Sequence, residues 1–195
     1  MTKVLVFIAE GFEEIEALTV IDVLRRANIQ CDMCSITSDK EVKGAHNILV
    51  NVDKTLEEIK TNEYNSLVIP GGMPGATNLR DNNKVINLVK EFNRDEKLIA
   101  AICAGPIVLS KANIIKGKEV TSYPGFEEDL KESIYKEDLV VQDGNIITSR
   151  GPSAAMYFAF KILEKFKKRF CKRNKRRHAF APSLKKFMTS LYDKN

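Results

Sequence analysis

Along the first 166 residues, short apolar runs alternate with longer stretches in which apolar residues recur every three or four positions. That alternation marks buried strands joined by crossover helices, and it predicts an α/β sandwich. Val-Leu-Val-Phe-Ile-Ala over 4–9 is continuously apolar, as a strand covered on both faces tends to be. Over 14–27, Ile15, Leu18, Ile21 and their neighbours Ala17, Val20, Val23 and Leu24 make an apolar stripe at helical spacing, which Asn28 closes. Further strands are expected over 31–37, 48–52, 67–69, 98–102, 119–122, 139–141 and 146–148, with 40–45 as a loop and 142–145 as a turn. Helical segments are expected over 56–60, 85–92, 104–112 and 152–166. Pro106 falls in the first turn of its helix, where a missing N–H is tolerated. No internal repeat or long linker divides this body.

Charge changes the picture at the far end of the chain. The 195 residues carry a formal charge of +5, but residues 1–164 hold 19 basic and 25 acidic side chains, a net of −6. Residues 165–195 hold 12 basic side chains and one acidic, a net of +11. A nucleic-acid-binding fold would spread its cations over the face that meets phosphate, so the acidic body excludes that reading for the whole protein. The expected organisation is therefore one α/β domain over 1–166 and a basic extension over 167–195. A tail of this density suits RNA, DNA or an anionic membrane surface, and equally a solvated extension with no partner.

With 44% apolar residues, the body is long enough to bury one substantial core. Its apolar runs are too short for a transmembrane segment or a cleavable signal, and a cytoplasmic protein is expected. Cysteines at 31, 34, 103 and 171 form no disulfide framework in a chain of this size and fit a reducing compartment.

In open α/β sheets, ligands bind outside the carboxyl ends of the strands. Three such exits carry reactive or backbone-donor chemistry: 10–16, 70–75 and 103–106. Cys103 sits on a strand-to-helix corner, where unpaired N–H groups and the helix dipole favour the thiolate. It is the candidate nucleophile, with small buried packing residue as the competing reading. Ala101 and Gly105 leave room for a sharp elbow, and Gly72 and Ala104 are candidate backbone donors to a developing oxyanion. Glu10, Glu13, Glu14 and Glu16 crowd the first exit; which of them turns inward is left open by the pattern, because acidic first turns also serve as caps or solvated faces. Arg150 is placed to bind an anionic substrate group or to pair with an acidic neighbour.

Other features point away from chemistry. Cys31 and Cys34 lie in an expected strand rather than at a helix start, without further ligands at metal-binding spacing, and read as packing residues. Gly71-Gly72-Met73-Pro74-Gly75 lacks the ending of a phosphate loop and reads as a tight turn bringing an amide toward a substrate. Of the two histidines, His46 lies in a loop before a strand and His178 in the basic tail.

Four segments then acquire a common meaning: Ala9-Glu10-Gly11-Phe12-Glu13-Glu14-Ile15-Glu16, Val68-Ile69-Pro70-Gly71-Gly72-Met73-Pro74-Gly75-Ala76, Ala100-Ala101-Ile102-Cys103-Ala104-Gly105-Pro106 and Thr148-Ser149-Arg150-Gly151-Pro152. Together they resemble the ThiJ/PfpI superfamily, in the branch of the parkinsonism-associated protein deglycase and its bacterial relatives. The resemblance runs over about 1–166 and implies a flavodoxin-like three-layer sandwich with a mostly parallel central sheet, a nucleophile-elbow cysteine and usually a homodimer. It implies Cys103 as the reactive cysteine, Glu16 as the buried glutamate that hydrogen-bonds its sulfur, and Gly72 and Ala104 as backbone donors. Where the family often has a histidine near the cysteine, this chain has Tyr123, whose phenol can position an oxygen but is a poor base near neutrality.

The resemblance also implies cofactor-free glyoxalase or deglycase chemistry on small aldehydes such as methylglyoxal and glyoxal, needing neither cofactor nor metal. Peptide or glutamine hydrolysis would require an imidazole beside the thiol, and Ala104 stands where the protease-like branch has histidine. The alternative is a redox sensor or holdase in which Cys103 is oxidised without dedicated turnover.

Overall fold

Val4, Leu5, Val6, Phe7 and Ile8 have no solvent exposure, and they make up most of β1 (Lys3–Ile8), the strand around which the sheet is assembled. The structure, a computed structural model, describes residues 2–170. The basic tail beyond Phe170, with Cys171 and His178, lies outside the described residues. After β1 come α1 (Glu14–Arg26), β2 (Gln30–Ser35), β3 (Glu41–Lys43), β4 (Leu49–Asn51) and β5 (Lys54–Thr55). These are followed by β6 (Ser66–Ile69), α2 (Gly75–Arg80), α3 (Asn83–Arg94), β7 (Leu98–Ile102) and α4 (Pro106–Lys111). The remaining elements are β8 (Glu119–Val120), β9 (Ile134–Tyr135), β10 (Val140–Asp143), β11 (Ile146–Ser149) and α5 (Ala155–Phe170).

The main sheet has seven strands in the order β10-β11-β7-β6-β1-β2-β5. All neighbours pair in parallel except β10 with β11. Leu5 and Phe7 of β1, Leu67 and Ile69 of β6, and Ile99 and Ala101 of β7 belong to one buried cluster with Val85, Val89 and Phe92 of α3 and Ile107 and Leu109 of α4. Alternate residues of the same strands point the other way. Val20 and Leu24 of α1 and Phe158 and Ile162 of α5 are equally buried and cover that opposite face. The result is the expected flavodoxin-like three-layer sandwich. Each fully buried aliphatic or aromatic side chain of this core contributes roughly 1.5–3 kcal/mol.

Several short elements depart from the sequence expectation. The stretch 40–45, expected as a loop, contains β3, which pairs antiparallel with β4 in a separate hairpin. The strand expected over 119–122 shortens to β8 and pairs with β9 outside the main sheet. Neither β5 nor the six-residue α2 was anticipated, since elements this short show too few apolar repeats for a period to register. In α1 the expected stripe is partly inverted: Ile15 is 55% exposed, whereas Glu14 and Glu16 are buried.

Candidate functional site

Four adjacent strands, β11, β7, β6 and β1, end on the same side because they run parallel. Their exits bring Arg150 and Gly151, Cys103, Gly71 and Gly72, and the start of α1 to one edge of the sheet. This is where the order of a doubly wound sheet opens a crevice.

Cys103 follows β7 directly and adopts φ 62°, a left-handed conformation that a side chain normally avoids at a cost of about 1–2 kcal/mol. Two backbone hydrogen bonds hold it there: its N–H donates to the Ser149 carbonyl at 2.9 Å, and the Tyr123 N–H donates to its own carbonyl at 2.9 Å. The corner thus ties β7 to β11 and to the segment bearing Tyr123. Backbone N–H groups of Ala104 and Gly72 face the sulfur and favour its charged form. The thiol is only partly buried.

Glu16 settles which carboxylate turns inward. It has no solvent exposure, and its Oε2 accepts the Gly71 N–H at 2.8 Å. Oε1 meets no hydrogen-bond donor, and the carboxyl lies close enough to the Cys103 side chain for each to shift the other's ionisation. Gly71 is required sterically: a Cβ there would lie 2.6 Å from the Cys103 Cβ and 2.7 Å from Glu16 Oε2. Gly72, at φ 86°, turns back against the backbone of Gly11, Phe12 and Glu13. Backbone chemistry at this turn was legible in the glycine pair; that Gly71 rather than Gly72 anchors the carboxyl was not.

The electrostatics couple the two side chains. Burial pushes the Glu16 carboxyl up to about 7, with the nearby Glu13 charge adding to the shift. Burial first, and then the Glu16 charge, push the Cys103 thiol up to about 12, against the lowering effect of the Ala104 and Gly72 N–H groups. The N–H groups and the helix terminus favour the thiolate as expected, but desolvation opposes them and is the largest effect here. A protonated Glu16 therefore opposes the thiolate less than an ionised one does.

The Arg150 side chain donates to the Glu137 backbone carbonyl at 3.1 Å. Tyr123 is 47% exposed, and its ring lies against Gly151, where an added Cβ would approach to 3.0 Å. Cys31 and Cys34 are buried in β2, and burial pushes each thiol up to about 12, as packing residues would behave. Among the described residues, the grouping compact enough to hold a cation is Glu13, Glu14 and His46, whose ligand atoms lie within 4.8 Å of one another. Its members already bond one another, with His46 Nδ1 2.8 Å from Glu14 Oε2. Sequence reasoning passed over His46 because a loop position reveals nothing of the helix it packs on.

Fold and site together define a flavodoxin-like protein with a cysteine on a strand-to-helix elbow. The chain belongs to the DJ-1/PfpI family, whose model matches residues 2–165. Protein dj-1beta of Drosophila melanogaster is 38% identical over 162 residues, covering 82% of this chain and 87% of that protein. Protein DJ-1 homolog B of Arabidopsis thaliana is 37% identical over 165 residues, covering 84% of this chain but 38% of that longer protein. The chain therefore spans well under half of the Arabidopsis relative. The solved structure of oxidized Toxoplasma gondii DJ-1 superposes with a TM-score of 0.79 at 37% identity, covering 85% of this chain and 91% of that one. No helix of the described residues is long and apolar enough to cross a membrane.

Proposed function

We propose that the protein is a cofactor-independent glyoxalase or deglycase-type enzyme acting on small reactive aldehydes such as methylglyoxal and glyoxal. The observation that supports this reading is the Glu16–Cys103 pair: a half-buried sulfur facing two backbone N–H groups, beside a buried carboxyl whose burial favours its protonated form.

For methylglyoxal the steps balance without an external oxidant. With Glu16 protonated, the Cys103 thiolate adds to the aldehyde carbon, forming a C–S bond, and the proton passes from Glu16 to the new oxygen to give a hemithioacetal. Glu16, now a carboxylate, removes the hydrogen from that carbon as a proton and returns it to the neighbouring carbon, while the hydroxyl proton passes from the first oxygen to the former ketone oxygen. The former aldehyde carbon is thereby oxidised to a thioester and the ketone carbon reduced to an alcohol. Water cleaves the thioester, releasing lactate and restoring the thiol. Gly72 and Ala104 supply N–H groups to the charge that moves between sulfur and oxygen. Tyr123 and Arg150, at the mouth, are assigned to orienting the substrate oxygens.

The test is lactate formation from methylglyoxal without added glutathione. Activity lost in Cys103→Ser and in Glu16→Ala supports the reading, and full activity in either overturns it. A second reading, a redox sensor or holdase, is favoured by the partial exposure of Cys103 and by the existence of an oxidized form of the Toxoplasma relative. Selective peroxide oxidation of Cys103, seen by mass spectrometry, together with no aldehyde turnover would establish it instead. A homodimer in the cytoplasm, and a tail that binds nucleic acid or an anionic surface, complete the proposal. Analytical ultracentrifugation tests the dimer, and salt-dependent RNA binding with and without residues 167–195 tests the tail.

A further inference from the structure

The β3–β4 hairpin is tied to the entrance of α1 by a continuous set of bonds. Gly11 N–H donates to the Lys43 carbonyl at 2.8 Å and Ala45 N–H to the Phe12 carbonyl at 2.8 Å. Between them, Gly44 packs so closely on the Glu14 carboxyl that no side chain would fit. His46 closes the latch twice on that carboxyl: its backbone N–H donates to Glu14 Oε1 at 2.8 Å, and its Nδ1 lies 2.8 Å from Oε2. Glu13 Oε2 is 3.7 Å from the same ring nitrogen.

The entrance loop in turn leans on the reactive corner. Glu13 N–H donates to the Gly71 carbonyl at 3.0 Å, and Gly75 N–H to the Gly11 carbonyl at 3.3 Å. The Gly71 N–H holds Glu16, and the Gly72 N–H faces the Cys103 sulfur. Glu13 also acts electrostatically on Glu16. A path of direct contacts thus runs from the His46 ring to both members of the reactive pair.

We infer that His46 is a positioning residue for the Cys103 site: its ring and backbone hold the hairpin on the α1 entrance, and its imidazolium balances Glu13 and Glu14, so that less negative charge faces the sulfur and the thiolate forms more readily. The inference rests on Cys103 being the reactive group, but not on its turning over an aldehyde. The acidic groups facing the ring are Glu13, just before α1, and Glu14, its first residue. Glu41 and Lys43 on its own hairpin and Glu10 before α1 are the other charged groups of these segments, and none of them ion-pairs with it. The Glu14 hydrogen bond and the two carboxylate charges raise the His46 pKa above 6.5. The charged latch is therefore complete below that ordinary value and is lost as pH rises through the raised one. A neutral ring keeps a hydrogen bond to Glu14 but no longer offsets the acidic pair.

The full chain has two histidines, so the His46 titration is resolved by NMR and assigned with His46→Asn. In the wild type it is expected above 6.5, and Glu14→Gln should return it toward that value. Iodoacetamide alkylation of Cys103, read by peptide mass spectrometry, should be about threefold or more faster in the wild type than in His46→Asn at pH 6, with the two converging at pH 9. Superimposable profiles, or the same ratio at both pH values, would overturn the inference, as would a His46 titration indifferent to Glu14→Gln. Alkylation reads the thiol alone. The expected pH dependence without aldehyde turnover would sink the glyoxalase reading and leave this one standing.

Discussion

The backbone N–H of Gly71 donates to Glu16 Oε2 at 2.8 Å, fixing the carboxyl of the first helix beside the elbow cysteine of a strand two places away in the sheet. One bond to a glycine that tolerates no side chain orients the proton partner of the site. Burial of this carboxyl has a thermodynamic consequence. Its folded pKa, about 7, lies above the ordinary 4.5, so the folded state binds more protons than the unfolded one between those values. Stability therefore falls as pH rises through that window, by an amount on the order of 3 kcal/mol. Glu16→Gln keeps an oxygen for Gly71 and removes the titration. Urea unfolding should show the variant more stable than the wild type at pH 8, with the difference shrinking toward pH 5.

The raised thiol predicts the pH dependence of Cys103. Alkylation in the wild type should keep rising with pH up to 10 rather than level off, because burial and the ionised Glu16 both oppose the thiolate. Removing the charge in Glu16→Gln should move that rise to lower pH. The measurement is the rate of iodoacetamide labelling between pH 5 and 10.

Gly72 combines a left-handed φ of 86° with backbone packing on the α1 entrance. Gly72→Ala brings both a conformational penalty and a clash with backbone that cannot swing aside, a loss of about 2 kcal/mol or more. Thermal unfolding should register it. Any folded fraction should alkylate Cys103 more slowly, since one N–H donor to the sulfur is displaced.

Tyr123→Phe retains the ring that rests on Gly151 and deletes only an exposed hydroxyl. Its melting temperature should match the wild type. If the phenol orients substrate, kcat/KM for methylglyoxal should fall roughly fivefold to tenfold, the loss of about 1 kcal/mol of hydrogen bonding, while Cys103 alkylation is unchanged.

Legibility followed element length and reach. β1, β7 and α1 could be read because six, five and thirteen residues carry enough repeats to separate a strand from a helix. β3, β5 and α2 could not, because three, two and six residues carry too few apolar repeats to set a period. At the site, Cys103 was visible from its corner and Gly72 from its turn. The inward choice of Glu16, the exposure of Ile15 and the attachment of His46 to Glu14 were not. A strict apolar stripe would have turned Ile15 in; the Gly71 N–H and the Cys103 sulfur instead offer Glu16 partners that a helix pattern does not encode.

By itself the sequence determined the alternating α/β architecture, the cysteine elbow and the charge split between body and tail, since each follows from local spacing or simple counting. Tertiary structure decided which carboxyl lies beside the sulfur, that burial raises the pKa of both groups, and that a hairpin histidine bonds the first residue of α1. Those outcomes depend on desolvation and on contacts between residues tens of positions apart, where free energy is set by geometry rather than by order along the chain.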